Sequence, residues 1–73
     1  MVSFKILGSA SEAVGETELE IEVNENKPIR EILPGEPLKD ELYIVLVNGE
    51  SADLDTPVSG EAKVVILPWT SGG

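Results

Sequence analysis

Two short segments of the chain consist almost entirely of apolar residues, and they limit what it can fold into. The segments are ELYIVLV (41–47) and AKVVILPW (62–69). Strands that are apolar on both faces normally lie inside a sheet and not at its edge. Neither segment approaches the roughly 18 apolar residues that a membrane span needs. We therefore expect both segments to be interior strands of a small globular domain.

Two further segments alternate between apolar and polar residues, as half-buried strands do. VSFKIL (2–7) is one, and TELEIEV (17–23) is the other. The second segment must turn three glutamates toward water, and these are Glu18, Glu20 and Glu22. Such a segment suits a sheet edge, because charge discourages stray strand pairing. The small polar segment between them, GSASEAVGE (8–16), is typical of a turn. We expect a hairpin.

The segment NENKPIREILPGEP (24–37) has helical periodicity instead. Asn26 is a candidate N-cap, and Pro28 fits the first turn, where its missing N–H costs nothing. Pro34 ends the helix because its ring clashes with the preceding turn. The sequence predicts a helix of about two turns, with one apolar face formed by Ile29, Ile32 and Leu33.

The order of these elements defines a fold class. Strand, strand, helix, strand, loop and strand predict an α+β domain in which one short helix crosses one face of a four-stranded mixed sheet. We expect the first and last strands to lie side by side at its centre. Asn48-Gly49 predicts a tight turn, and residues 52–61 an irregular connection.

A single short helix leaves the second face of such a sheet uncovered. Since both interior strands are apolar on both faces, we expect an exposed apolar patch that binds a protein partner. The alternative is that loop 50–61 folds over these side chains. The candidate patch residues are Tyr43, Val45, Val47, Val65 and Leu67.

Composition excludes several classes of function. The 73 residues form at most one domain and include no cysteine and no histidine. Disulfides, thiolate metal sites and Ser-His or Cys-His nucleophile pairs therefore cannot be built. The missing cysteine and histidine fit a protein that is not an enzyme and that has no metal and no cofactor of its own.

The net charge of −9 excludes further partners. Nucleic acid and anionic membranes are disfavoured because no cluster of lysine and arginine exists to neutralise phosphate. A basic protein partner is favoured, although an acidic surface also serves solubility alone. The N-terminal apolar stretch is too short for a secretory signal, so we expect a cytoplasmic location.

The chain ends TSGG, directly after the last predicted strand. We place a domain over residues 1–68 and a flexible tail over residues 69–73. The plain interpretation is an inert, frayed tail on a binding module. The alternative is that the terminal carboxylate of Gly73 is the working group.

The sequence resembles the β-grasp, ubiquitin-like sulfur carriers, which end in Gly-Gly. They include the small subunit of molybdopterin synthase (MoaD) and the thiamine-pathway carrier (ThiS), and archaeal ubiquitin-like modifiers are related. The resemblance rests on VNG (47–49), DLDTPVSGEAKVVILP (53–68) and SGG (71–73), and it looks closer to the molybdopterin-synthase subunit. Two departures are the helix shortened by Pro34 and the bulky Trp69, where a smaller residue is usual.

The resemblance implies a function for the tail. A ubiquitin-activator-like adenylyltransferase, using ATP and Mg²⁺, would adenylate Gly73, and a sulfur donor protein would convert the adenylate to a thiocarboxylate. Thr70, Ser71 and Gly72 would enter the enzyme's channel. The sulfur would serve molybdopterin, thiamine or tRNA synthesis, with the large subunit of molybdopterin synthase as a further partner in the first case. In a modifier, a lysine of another protein would instead form an isopeptide with Gly73.

Overall fold

The structure is a computed structural model that describes residues 1–69. Seven strands, two short helices and one 3-10 turn (Asp40–Leu42) follow each other along this part of the chain. In chain order the helices and strands are β1 (Val2–Ile6), α1 (Ser9–Val14), β2 (Glu18–Ile21), β3 (Lys27–Pro28), α2 (Ile29–Ile32), β4 (Tyr43–Val47), β5 (Glu50–Ala52), β6 (Pro57–Val58) and β7 (Lys63–Pro68).

The main sheet has five strands in the order β2-β1-β7-β4-β5, and β3 pairs with β6 in a separate ribbon. β1 and β7 are parallel neighbours at the centre, and the other pairs of the main sheet are antiparallel. The predicted α+β mixed sheet and its central pair are confirmed. The predicted strand count of four is wrong, because a fifth strand, β5, pairs with β4. Asn48 and Gly49 both adopt positive φ. The tight turn that they form leads directly into β5.

The connection between β1 and β2 is a helix and not the predicted turn. The strands pair as expected, with Val2 opposite Ile21 and Lys5 opposite Glu18. α1 buries only Ala10 and Val14, which are four residues apart and therefore share one face. Small polar residues dominate the rest of the segment, so its helical period is hard to detect in the sequence.

The predicted helix exists but is shorter than expected. α2 is a single turn, and its last backbone bond runs from the Leu33 N–H to the Ile29 carbonyl at 3.2 Å. Asn26 is not its cap, because Pro28, predicted to lie in the first turn, occupies the N-cap position with extended backbone. The Asn26 side chain instead accepts a hydrogen bond from the Ser59 hydroxyl at 2.6 Å. Leu33 is already extended, as expected for a residue that precedes proline.

The core lies on one face of the main sheet. Side chains from the central strands pack there against both helices, Leu38 and the 53–58 loop. The most deeply buried residues are Val2, Ile6, Ala10, Ile29, Leu54, Val64 and Ile66. Loop 53–58 contributes Leu54 and Val58 to this same core. Because the loop packs with α2, the interpretation in which it covers the second face is wrong.

Gly35 lies where the loop after α2 contacts α1. Its φ is +86°, and an added Cβ would lie 2.8 Å from the Val14 carbonyl oxygen. We expect Gly35→Ala to lower the free energy of unfolding by about 2–3 kcal/mol, since backbone strain and overlap add. Urea unfolding followed by circular dichroism measures this loss.

The matched control for this substitution is Gly60→Ala. Gly60 also has positive φ, at +67°, but open space surrounds its Cβ position. We expect this variant to lose only about 1 kcal/mol, the cost of the backbone conformation alone. Equal losses in the two variants would contradict close packing at Gly35.

Candidate functional site

The second face of the sheet carries a strip of apolar side chains. Side chains alternate along each strand, so Val45, Val64 and Ile66 point to the core while their neighbours point to the other face. Those neighbours pair across β4 and β7, Ile44 with Leu67 and Leu46 with Val65. All four are half-buried, and none belongs to the core cluster. We call Ile44, Leu46, Val65 and Leu67 the open-face strip.

The predicted patch combined residues from two faces, and its membership is corrected here. Val45 is 2% exposed, and Tyr43 and Val47 pack against the core. The Tyr43 hydroxyl lies 3.5 Å from the Ser9 hydroxyl on α1. Val65 and Leu67 do lie on the second face. Sequence reasoning missed Ile44 and Leu46, because an unbroken apolar run does not show which alternate residues point to the core. Only the register against β7 shows this.

Charged residues border the open-face strip on the β1–β2 flank. On that flank β1 places Lys5 beside Val65. The next strand places Glu18 opposite Lys5 and Glu20 opposite Ser3. Both glutamates are exposed, as predicted. On the other flank, Leu46 faces the uncharged Ser51. The surface therefore changes from apolar to acidic in one direction across the sheet.

Large apolar side chains surround the point where the chain leaves the sheet. β7 ends at Pro68, and the Trp69 N–H donates to the Leu42 carbonyl at 3.1 Å. On the other side the Leu7 N–H donates to the Ile66 carbonyl at 2.9 Å. Leu7, Leu42 and Trp69 are 41%, 52% and 63% exposed. We call these three residues the exit rim.

Arg30 holds the turn that carries Leu42. Its Nε donates to Asp55 Oδ1 at 2.6 Å, and its Nη2 donates to Asp40 Oδ2 at 2.9 Å. The other Asp40 oxygen accepts the Leu54 N–H at 3.1 Å. The hydrogen bond to Asp55, with smaller contributions from Asp40, raises the pKa of Arg30 above its ordinary value. Arg30 therefore stays charged and ties α2 to the 3-10 turn and the 53–58 loop.

The proposed working group at the C-terminus lies beyond this geometry. Thr70, Ser71, Gly72 and Gly73 are outside the described residues. Within residues 1–69, no group of three His, Cys, Asp or Glu side chains is placed to hold a metal ion. In the same part of the chain, no helix is long and apolar enough to cross a membrane.

A mixed sheet with parallel first and last strands at its centre and helices on one face defines a β-grasp, ubiquitin-like domain. The structure is similar to the crystal structure of SAMP1 from Haloferax volcanii, with a TM-score of 0.67 and 20% sequence identity. The match covers 99% of this chain and 98% of that one. At this identity the likeness confirms the fold.

The sequence model of the ThiS family matches residues 4–73, so the chain belongs to the ThiS family. No curated protein sequence matches the chain significantly. Fold and family together place the chain among the β-grasp, ubiquitin-like proteins of the ThiS family, as the resemblance predicted.

Proposed function

We propose that this protein is a sulfur carrier that is adenylated and then thiocarboxylated at Gly73. The observation that carries the proposal is the family match over residues 4–73, which extends through the Gly-Gly terminus to the last residue. The absence of cysteine and histidine from the whole sequence suits a substrate protein better than a catalyst. ATP and Mg²⁺ belong to the partner enzyme in this proposal.

The chemistry begins at the terminal carboxylate. A Gly73 oxygen attacks the α-phosphorus of ATP, the α–β anhydride bond breaks, and pyrophosphate leaves. The resulting acyl adenylate is a good electrophile. The terminal sulfur of a donor persulfide attacks the carbonyl carbon, and AMP leaves with the electron pair of the C–O bond. A donor thiolate then attacks the S–S bond, which releases the thiocarboxylate and forms a disulfide on the donor.

The residue types of the tail suit this chemistry. Gly72 and Gly73 have no Cβ, so they can pass a narrow enzyme channel and adopt conformations that other residues avoid. Thr70 and Ser71 offer hydroxyl and backbone groups to the channel walls. Extended, residues 70–73 reach roughly 13 Å. Pro68 fixes the backbone direction at the end of β7.

The open-face strip is the surface that we assign to the activating enzyme. It lies on β4 and β7, and β7 is the strand that leads into the tail. A partner that covers the strip is therefore positioned to receive the C-terminus. The net charge of −9 favours a partner with a basic rim and disfavours a second copy of this chain.

The direct test is mass spectrometry of the intact protein after incubation with the adenylyltransferase of the same organism, ATP, Mg²⁺ and a persulfide donor. We expect a product heavier by the replacement of one oxygen with sulfur, located at Gly73 in the C-terminal peptide. The control reaction omits ATP and should leave the mass unchanged.

Two outcomes would contradict the carrier proposal. An unchanged mass in the complete reaction would show that Gly73 is not activated by this route. Conjugates in which Gly73 forms an isopeptide with lysines, without any thiocarboxylate, would support the modifier alternative. The pathway that receives the sulfur stays a prediction, as does the cytoplasmic location. Incubation of the thiocarboxylated protein with molybdopterin, thiamine or tRNA precursors would identify the sulfur acceptor.

A further inference from the structure

The exit rim concentrates exposed apolar surface at one end of the sheet. Of the four large apolar side chains that are exposed within residues 1–69, three form this rim, and the fourth, Met1, lies at the opposite end of β1. Exposed tryptophan is costly for solubility and is enriched at the energetic centres of protein interfaces. The position of the cluster therefore calls for an explanation by binding.

Backbone contacts position the rim around the point where the tail begins. The Leu42 carbonyl accepts the Trp69 N–H. The residues next to them, Tyr43 and Pro68, pair across β4 and β7. On the β1 side, an added Cβ at Gly8 would lie 2.9 Å from Pro68 Cγ, so the chain after Leu7 packs against Pro68. A rigid aromatic side chain loses little conformational entropy when it is buried by a partner.

The rim continues the open-face strip toward the tail. Trp69 directly follows the end of β7, and Leu42 directly precedes the start of β4, so both lie next to the two strands that carry the strip. One partner surface can therefore cover both. The charges indicate which residues this partner surface should carry. Glu18 and Glu20 lie on the β1–β2 flank, so basic residues of the partner should meet that flank.

We propose that Trp69, supported by Leu7 and Leu42, is a specificity anchor that fits an apolar pocket at the mouth of the activating enzyme's channel. This inference rests on the proposed function. The pocket is bordered by basic residues on the side that meets β2. Because the anchor directly precedes Thr70, its insertion brings the start of the tail to the mouth of the channel.

The test measures ATP–pyrophosphate exchange by the adenylyltransferase of the same organism at increasing concentrations of the carrier. We expect Trp69→Ala to raise the KM for the carrier by about tenfold or more, with kcat within about twofold. The matched control is Lys27→Ala, which shortens a long exposed side chain in the separate β3–β6 ribbon. Its KM should equal that of the unsubstituted protein.

A second measurement reports the contact directly. The chain contains one tryptophan, so protein labelled with fluorotryptophan gives a single fluorine NMR resonance from residue 69. We expect this resonance to shift on addition of the unlabelled enzyme, and to shift equally with protein that lacks Gly72 and Gly73. An unmoved resonance in a complex detected by gel filtration would overturn the anchor.

The outcomes separate the two proposals. If the unsubstituted protein supports exchange and Trp69→Ala has the same KM, the anchor is wrong and the carrier function stands. If the unsubstituted protein supports no exchange, the carrier function fails, whatever the fluorine spectrum shows. A concentration-dependent dimer that buries Trp69 in the free protein would also overturn the anchor.

Discussion

Deleting Gly72 and Gly73 should abolish adenylation while leaving the folded domain intact. The shortened chain ends at Ser71, so its carboxylate would stop roughly 7 Å before the position that Gly73 reaches. Misplacement of a reacting atom by about 1 Å can already cost 10²-fold in rate. We therefore expect ATP–pyrophosphate exchange to fall by at least about 10³-fold. The most deeply buried residues lie between Val2 and Ile66, so we expect an unchanged melting temperature.

The matched control for the deletion keeps the length of the tail. Ser71→Ala removes one hydroxyl and leaves the Gly73 carboxylate in place, so exchange should stay within about tenfold of normal, the value of one hydrogen bond. Full exchange by the shortened protein would contradict the role of Gly73 and support the inert-tail interpretation.

The fold was predictable where the sequence alternates or where a single residue dictates the backbone. Glu18 and Glu20 set the parity of β2, and Pro34 ended α2 through its ring. Asn48-Gly49 produced the turn into β5. The strand after that turn was missed because Glu50 and Ser51 are polar and short segments carry no period. α1 was missed because two buried residues, Ala10 and Val14, are too few to define a helical face.

The candidate site was predictable in its existence but not in its membership. Two doubly apolar strands and one short helical segment imply an uncovered face, and the sheet has one. Which of Val45 or Leu46 lies there depends on the register between β4 and β7, a long-range property that no local pattern encodes. In the sequence Trp69 is a departure from the family pattern, whereas its exposure beside Leu42 depends on the pairing of β7 with β4.

The second large effect is expected at Ile66, in the centre of β7. Its side chain is fully buried, and its neighbours across the sheet are Ile6 on β1 and Val45 on β4. Shortening a buried isoleucine to alanine removes favourable burial and leaves a cavity, at a cost of about 3–4 kcal/mol. A domain of this size has a total stability of about 4–11 kcal/mol. Ile66→Ala should therefore remove a large part of that stability, or all of it.

The adjacent residue provides the control, because it differs from Ile66 mainly in the face on which it lies. Leu67 is half-buried on the open face, next to Ile44. Its replacement by alanine removes similar side-chain volume but little packing, so we expect a loss of about 1 kcal/mol or less. Urea unfolding followed by circular dichroism compares the two variants.

The same pair separates folding from docking. Leu67→Ala should lower the unfolding midpoint only slightly and yet raise the KM for the carrier in the exchange reaction, since Leu67 lies in the open-face strip. Ile66→Ala should lower the midpoint sharply, whereas molecules that remain folded should bind with nearly normal affinity. Equal losses of stability in the two variants would mean that the open face is packed in the free protein. It would then not be the surface that the activating enzyme covers.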